Sequence, residues 1–165
     1  MKLVLDTGVL GELCHPRVKA ELSQWLDLVA ENAGEDSRIY IPEIADYELR
    51  RKLIHLVFKG QKDLRRRIPL PVGTVESKSI RRLDELATVF DFLRIGSDTM
   101  KRAAQLWAEA RCRGRSNTAK EGLDGDVLLA AQALEVGAIV VTYNTPHFEG
   151  IVEARSWSDI DPRVV

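Results

Sequence analysis

Asp6, Glu48 and Asp126 are the residues from which chemistry can be built, and Asn144 joins them. Asp6 ends the short apolar run Leu3-Val4-Leu5 and is followed by Thr7-Gly8. A run of this kind, stopped by an acid and a glycine, reads as a buried strand with the acid at its carboxyl end. In open parallel sheets the functional crevice lies just outside those ends. Glu48 falls in the first turns of the helix after a second strand, Asp126 opens the helix that leads into a fourth, and Asn144 follows that fourth strand directly. Helix starts and strand ends share one edge of a doubly wound sheet, so these side chains can approach one another from far apart in sequence. Clustered carboxylates repel, and bringing them together raises a pKa or demands a cation. Mg2+ meets that demand with hard oxygen ligands, one or two from carboxylates and the rest from water and substrate phosphate, and Mn2+ is the alternative ion. A metal held in this way beside a phosphodiester activates a water and stabilises the leaving oxygen.

Each residue also has a plainer reading. Asp6 or Thr7 suits the N-cap of the next helix, and Glu48 and Asp126 suit a solvated surface or the positive end of a helix dipole. Three acids at one edge favour the metal over three separate coincidences. Asn144 can orient a water or bind a metal through its carbonyl, but it brings no charge. Asp124 lies two residues before Asp126, about 200° away on a continuous helix. It reads chiefly as the cap of that helix, and as an extra metal ligand if Gly125 lets the turn open.

The elements that must position these residues alternate along the chain. Strands are expected at 3–5, 39–41, 92–95 and 138–142, with a short fifth near 151–156. Pro42 stops the second strand and suits the start of the next helix. Helical patterns run through 17–32, 43–58, 75–90, from Ser97 or Asp98 to about 112, and from Asp124 to Val136, where Gly137 closes the turn. Residues 9–14 suit a short helical turn, and 113–122 a polar loop. Alternation of this kind predicts a three-layer α/β/α sandwich around a central parallel sheet of four or five strands, with right-handed crossovers. Trp25 and Trp107 fall on apolar helix stripes and are expected in the core.

The 165 residues suit one domain, and 45% apolar content is that of an ordinary globular chain. A net charge of −1 predicts no polyanionic partner from bulk charge alone. Cys14 and Cys112 are far apart, with no CxxC pair and no His at zinc-like spacing, which fits free thiols in a reducing cytoplasm. No apolar run approaches the ~18 residues of a membrane span.

The ordered set of segments resembles the PIN-domain ribonucleases, in particular the VapC-type toxins of prokaryotic toxin–antitoxin systems. The matching pieces are Leu3-Val4-Leu5-Asp6-Thr7, Glu48-Leu49-Arg50-Arg51, the run from Asp126 to Ala133, and the run from Ile139 to Phe148. Order and approximate spacing agree over essentially the whole chain, so residues 1–165 are expected to form a single PIN-like domain. The resemblance implies a metal-dependent endonuclease acting on single-stranded RNA, with Asp6, Glu48 and Asp126 as metal ligands. It also implies a homodimer and an antitoxin whose tail covers the site. One departure matters: many relatives carry a fourth acid just after the fourth strand, where this chain has Asn144 and His147.

The basic residues suit a polyanion at the rim of such a pocket. Arg50, Arg51, Lys52, Lys59, Lys62, Arg65, Arg66 and Arg67 face a single acid, Asp63, and a second set is Arg111, Arg113, Arg115 and Lys120. Taken alone, such a stripe is more simply a solvated face. The apolar residues Leu53, Ile54, Leu56, Val57 and Phe58 nearly surround their helix, which leaves some of them for a partner. The competing functional reading is a decayed PIN domain that binds RNA or protein without cleaving. A phosphatase of the haloacid dehalogenase type, which wants a second Asp where Gly8 stands, and a phospho-receiver both fit worse.

Overall fold

The computed structural model describes residues 1–59, 73–113 and 120–164, and only the backbone of 120–122. Five strands of the described residues form one parallel sheet: β1 (Lys2–Leu5), β2 (Arg38–Pro42), β3 (Asp91–Leu93), β4 (Ile139–Val141) and β5 (Ala154–Arg155). Their spatial order is β3-β2-β1-β4-β5. The chain therefore winds outward from β1 in one direction and returns to its other side at β4. The order reverses between β1 and β4, and the carboxyl ends of those two strands open the crevice of a doubly wound sheet.

Among the described residues, six α-helices cover the sheet: α1 (Thr7–Leu13), α2 (Ala20–Glu31), α3 (Glu43–Lys59), α4 (Lys78–Val89), α5 (Ser97–Cys112) and α6 (Lys120–Val136). The central strand shows why the fold has layers on both sides. Leu3 and Leu5 point into a core with Val9, Leu10, Leu22, Trp25, Ala45, Leu49 and Leu83, from α1 to α4. Val4 points the opposite way, into a core with Ala103, Leu106, Val127, Ala130 and Val140, from α5, α6 and β4. Successive side chains of a strand alternate faces, so an unbroken apolar run must be covered twice.

Several expected boundaries shift. α1 begins at Thr7, directly after Asp6, two residues earlier than the apolar pattern suggests. β3 is Asp91–Leu93 rather than 92–95, because Ile95 leaves the sheet and its N–H donates to Glu43 Oε2 at 2.7 Å. α5 is capped by Gly96, not by Ser97 or Asp98, and the Gly96 N–H donates to Thr99 Oγ1 at 3.1 Å. α6 begins at Lys120, so Asp124 lies inside the helix and does not cap it; what reads as polar loop after residue 119 is the first turn of α6. Residues 114–119 of that expected loop lie outside the described residues, as does the basic segment with Lys62, Asp63 and Arg65 to Arg67.

Trp25 is buried, and its indole N–H donates to the Ile160 carbonyl at 3.0 Å. Trp107, expected in the core, is 39% exposed and lies under the Arg111 guanidinium, whose centre is 5.0 Å from the ring centroid. α5 turns that side of its apolar stripe outward because Ala103, Leu106 and Ala110 already fill the contact with α6. Gly137 ends α6 at φ +65°, a left-handed turn that glycine adopts without strain, and the chain enters β4 two residues later. Among the described residues, no helix is long and apolar enough to cross a membrane.

Candidate active site

Asp6 sits one residue past β1, and its N–H extends the ladder to the Val141 carbonyl at 3.0 Å. Its two oxygens have separate partners. Oδ1 accepts the Thr7 N–H at 2.6 Å and so caps α1, while Oδ2 accepts the Thr142 hydroxyl at 2.6 Å. Thr142 follows β4 and is fully buried. Burial pushes the Asp6 carboxyl up from its ordinary range, the bonds from Thr142 and Thr7 pull it down, and the charge of Glu48 pushes it up again.

Glu48 projects from the second turn of α3. Its Oε2 accepts the Thr7 hydroxyl at 2.8 Å, which links it to the residue beside Asp6. Its Oε1 lies against the backbone of α6 at Gly125, where an added Cβ would come within 2.5 Å of it. Gly125 therefore does not open the helix; it lets Glu48 pack against it. Arg51 approaches Glu48 from the solvent side at 3.7 Å, with its guanidinium 5.4 Å from the centre of the exposed Tyr47 ring.

Asp126 completes the group from α6. The helix is pinned by Gln132, which is fully buried, accepts from the Ile44 N–H at 3.4 Å and donates to the Leu93 carbonyl. The Asp126 carboxyl is pushed up to about 6, first by burial and then by the charges of Asp6 and Glu48, against the opposing pull of His147. Its Oδ2 is buried and has no hydrogen-bond partner, although His147 Nδ1 lies 3.1 Å away. The other ring nitrogen of His147, Nε2, is 2.7 Å from Asn144 Nδ2, and the Asn144 N–H donates to Thr142 Oγ1 at 3.0 Å. Asp6, Glu48, Asp126, Asn144 and His147 thus surround the carboxyl ends of β1 and β4. Asp124 does not join them. It is exposed and lines a groove of about 430 Å³ between α5 and α6, with Met100, Trp107, Val127 and Leu128.

Among the described residues, no three Asp, Glu, His or Cys side chains are drawn together as a finished cage for a metal. The donor set nevertheless suits a hard cation: carboxylate oxygens from three elements, an unpartnered buried oxygen on Asp126, and a glycine that makes room for Glu48.

Sequence reasoning missed Thr7 and Thr142, which hold two of the acids, and the role of His147 against Asp126. A hydroxyl residue next to an acid at one strand end, and another just past a neighbouring strand, were the available signals. The basic rim divides. Arg50 is a structural clip, donating to Asp46 at 2.7 and 2.9 Å and to Asp84 of α4 at 2.7 Å, and these bonds raise its pKa further above its ordinary value. Arg51 and Lys52 remain exposed, and Arg51 stands beside Glu48.

Solved structures share this architecture. A chain of VapBC2 from Rickettsia felis, in a complex bound to a DNA fragment from their promoter, superimposes with a TM-score of 0.67 at 18% identity over 95% of this chain and 99% of that one. A chain of FitAcB from Neisseria gonorrhoeae gives 0.62 at 22% identity over 96% and 99%. A chain of VapBC-1 from nontypeable Haemophilus influenzae gives 0.60 at 20% identity over 96% and 99%. No curated protein matches in sequence. The model of the PIN domain matches residues 3–150, which include all three acids and their partners at the ends of β1 and β4, and the chain belongs to the PIN-domain family.

Proposed function

We propose that the chain is a Mg2+-dependent endoribonuclease that cleaves single-stranded RNA, acting as the VapC-type toxin of a toxin–antitoxin pair in the cytoplasm. The observation that carries this reading is the convergence of Asp6, Glu48 and Asp126 at the switch point of the sheet, with a buried Asp126 oxygen that accepts no well-aligned hydrogen bond and has His147 Nδ1 beside it. Asp6, Glu48 and Asp126 would hold the ion. When bound, the ion supplies Lewis acidity and a lowered pKa for attacking water. Thr142 and Thr7 fix the carboxylates, so the acids do not have to be ordered at each turnover. Asn144 borders the same space and is suited to orienting a water. Arg51 and Lys52 offer charge to a phosphate backbone, and Tyr47 offers a face for a base.

The antitoxin partner is read from the VapBC and FitAcB complexes that share the fold. The outer end of α3, with Leu56 63% exposed and Leu53, Ile54, Val57 and Phe58 only partly covered, suits a second copy or that antitoxin. A second reading, a decayed domain that binds without cleaving, has one observation in its favour: Asn144 and His147 stand where many relatives carry an acid.

Cleavage separates the two. Wild-type protein and Asp6→Asn are compared on an unstructured RNA panel with Mg2+, with Mn2+ and with EDTA. The nuclease reading expects cleavage by the wild type alone, abolished by EDTA. Equal cleavage by both proteins, or cleavage indifferent to EDTA, rejects the mechanism, and RNA binding without cleavage across the panel favours the decayed domain.

A further inference from the structure

We propose that His147 is itself a ligand of the cation, through Nδ1, so that the site lacks a fourth acid but not a fourth ligand, and that this biases it toward first-row transition ions such as Mn2+ over Mg2+. The inference rests on the metal-site reading above. Three observations carry it. His147 Nδ1 lies 3.1 Å from Asp126 Oδ2, a buried oxygen that accepts no well-aligned hydrogen bond. Two donors at neighbouring positions of an octahedral ion, each about 2.1 Å from it, are about 3.0 Å from one another. The 3.1 Å separation, which a hydrogen bond would also give, meets that spacing.

The far side of the ring meets the second requirement. A ligating histidine directs its other ring N–H to an acceptor, which fixes the tautomer and the ring plane. His147 Nε2 contacts the terminal amide of Asn144 at 2.7 Å. The two ends of that amide are interchangeable by a half-turn, and with its oxygen toward Nε2–H the Nδ1 lone pair faces Asp126. Asn144 is then the positioning residue.

Third, the backbone under His147 is anchored. It forms the 3₁₀ turn Thr145–His147, its N–H donates to the Asn144 carbonyl at 3.1 Å, and the next residue, Phe148, is buried in the core. The ring is thus presented from a fixed point rather than from a free loop. Imidazole nitrogen binds transition ions well and Mg2+ poorly, which gives the expected metal preference.

The test uses the full chain with Mn2+ and no RNA. Electron spin-echo modulation of the bound ion should reveal coupling to a nitrogen nucleus. His147→Ala should abolish that coupling and weaken Mn2+ binding in titration calorimetry by about tenfold or more, since even outer-shell substitutions cost about 10–100-fold. Mg2+ binding should weaken much less. His147→Asp should bind both ions without nitrogen coupling. Bound Mn2+ with no nitrogen coupling in the wild type overturns the inference and leaves the carboxylate site intact, a result that needs no variant to fold. Nitrogen coupling that persists in His147→Ala overturns it too, by assigning the nitrogen to another residue. No Mn2+ or Mg2+ binding by the wild type removes both the ligand role and the metal-dependent nuclease.

Discussion

Asp6 divides its oxygens between two tasks: Oδ1 caps α1, and Oδ2 is held by Thr142. Capping and site formation are therefore joint properties of one carboxylate. Removing the hydroxyl of Thr142 leaves the strand intact but frees Oδ2. Thr142→Val should weaken metal affinity and RNA cleavage by about 10–100-fold, the usual cost of losing a hydrogen bond behind a ligand. Calorimetric titration of the metal beside a cleavage assay checks both. Asp126 makes a separate prediction in metal-free protein. Folding raises its carboxyl from 3.8 to about 6, chiefly by burial, so the protonated form is the one the fold favours. Its contribution to stability is present in full below 3.8 and is lost as pH rises through about 6. In EDTA, the wild type should therefore lose stability relative to Asp126→Asn between pH 4 and 6.5, read by urea melts across that range. Parallel curves would show that burial at this position is not felt by the fold.

At the scale of elements, α6 approaches α3 closely because residue 125 has no side chain. Gly125→Ala removes a helix-interior glycine, which ordinarily stabilises a helix by about 1 kcal/mol. Here the new Cβ would meet Glu48 Oε1 at 2.5 Å, and the end of a flexible side chain moves before a helix does. The expected outcome is a protein at least as stable as the wild type with metal binding and cleavage largely lost, measured by thermal melts and metal titration on one preparation. Arg50 makes the opposite case. It ties α3 to α4 through Asp46 and Asp84, with Asp84 well exposed. Arg50→Ala should cost about 1 kcal/mol in stability, as partly exposed ion pairs do. It should leave the salt dependence of RNA binding unchanged, whereas Arg51→Ala with Lys52→Ala should flatten it. Filter binding across a salt series distinguishes the two variants.

For the whole molecule, an ion that joins three elements, α1 through Asp6, α3 and α6, should stabilise the fold by mass action. At about 100 times its dissociation constant an ion contributes about 2.7 kcal/mol, which for a chain of this size raises Tm by about 5–10 °C. Calorimetry of the wild type with Mn2+, and then with excess EDTA, should show that rise and its reversal, and Asp6→Asn should show neither. An unchanged Tm in saturating metal would favour the decayed domain.

Much of this was legible in the sequence for a physical reason. The 2-residue and 3.6-residue apolar periods record which faces are buried, and burial is local in its demands on the chain. Leu3-Val4-Leu5 announced a strand covered on both sides, and the spacing of β1, β2 and β4 against their helices announced the parallel sheet and the edge at which Asp6, Glu48 and Asp126 gather. What periodicity does not carry is the partner of a polar atom. Asp124 read as a cap, yet α6 starts four residues earlier and turns it into the groove beside Trp107. Arg50 and Arg51 are neighbours of one type in sequence; only the packing of α4 makes the first a clip and leaves the second at the acids. The bonds from Thr142 to Asp6 and the approach of His147 to Asp126 span 136 and 21 residues, and no local pattern encodes a contact across such separations. The strand order β3-β2-β1-β4-β5, by setting β4 beside β1, decides which side chains complete the site.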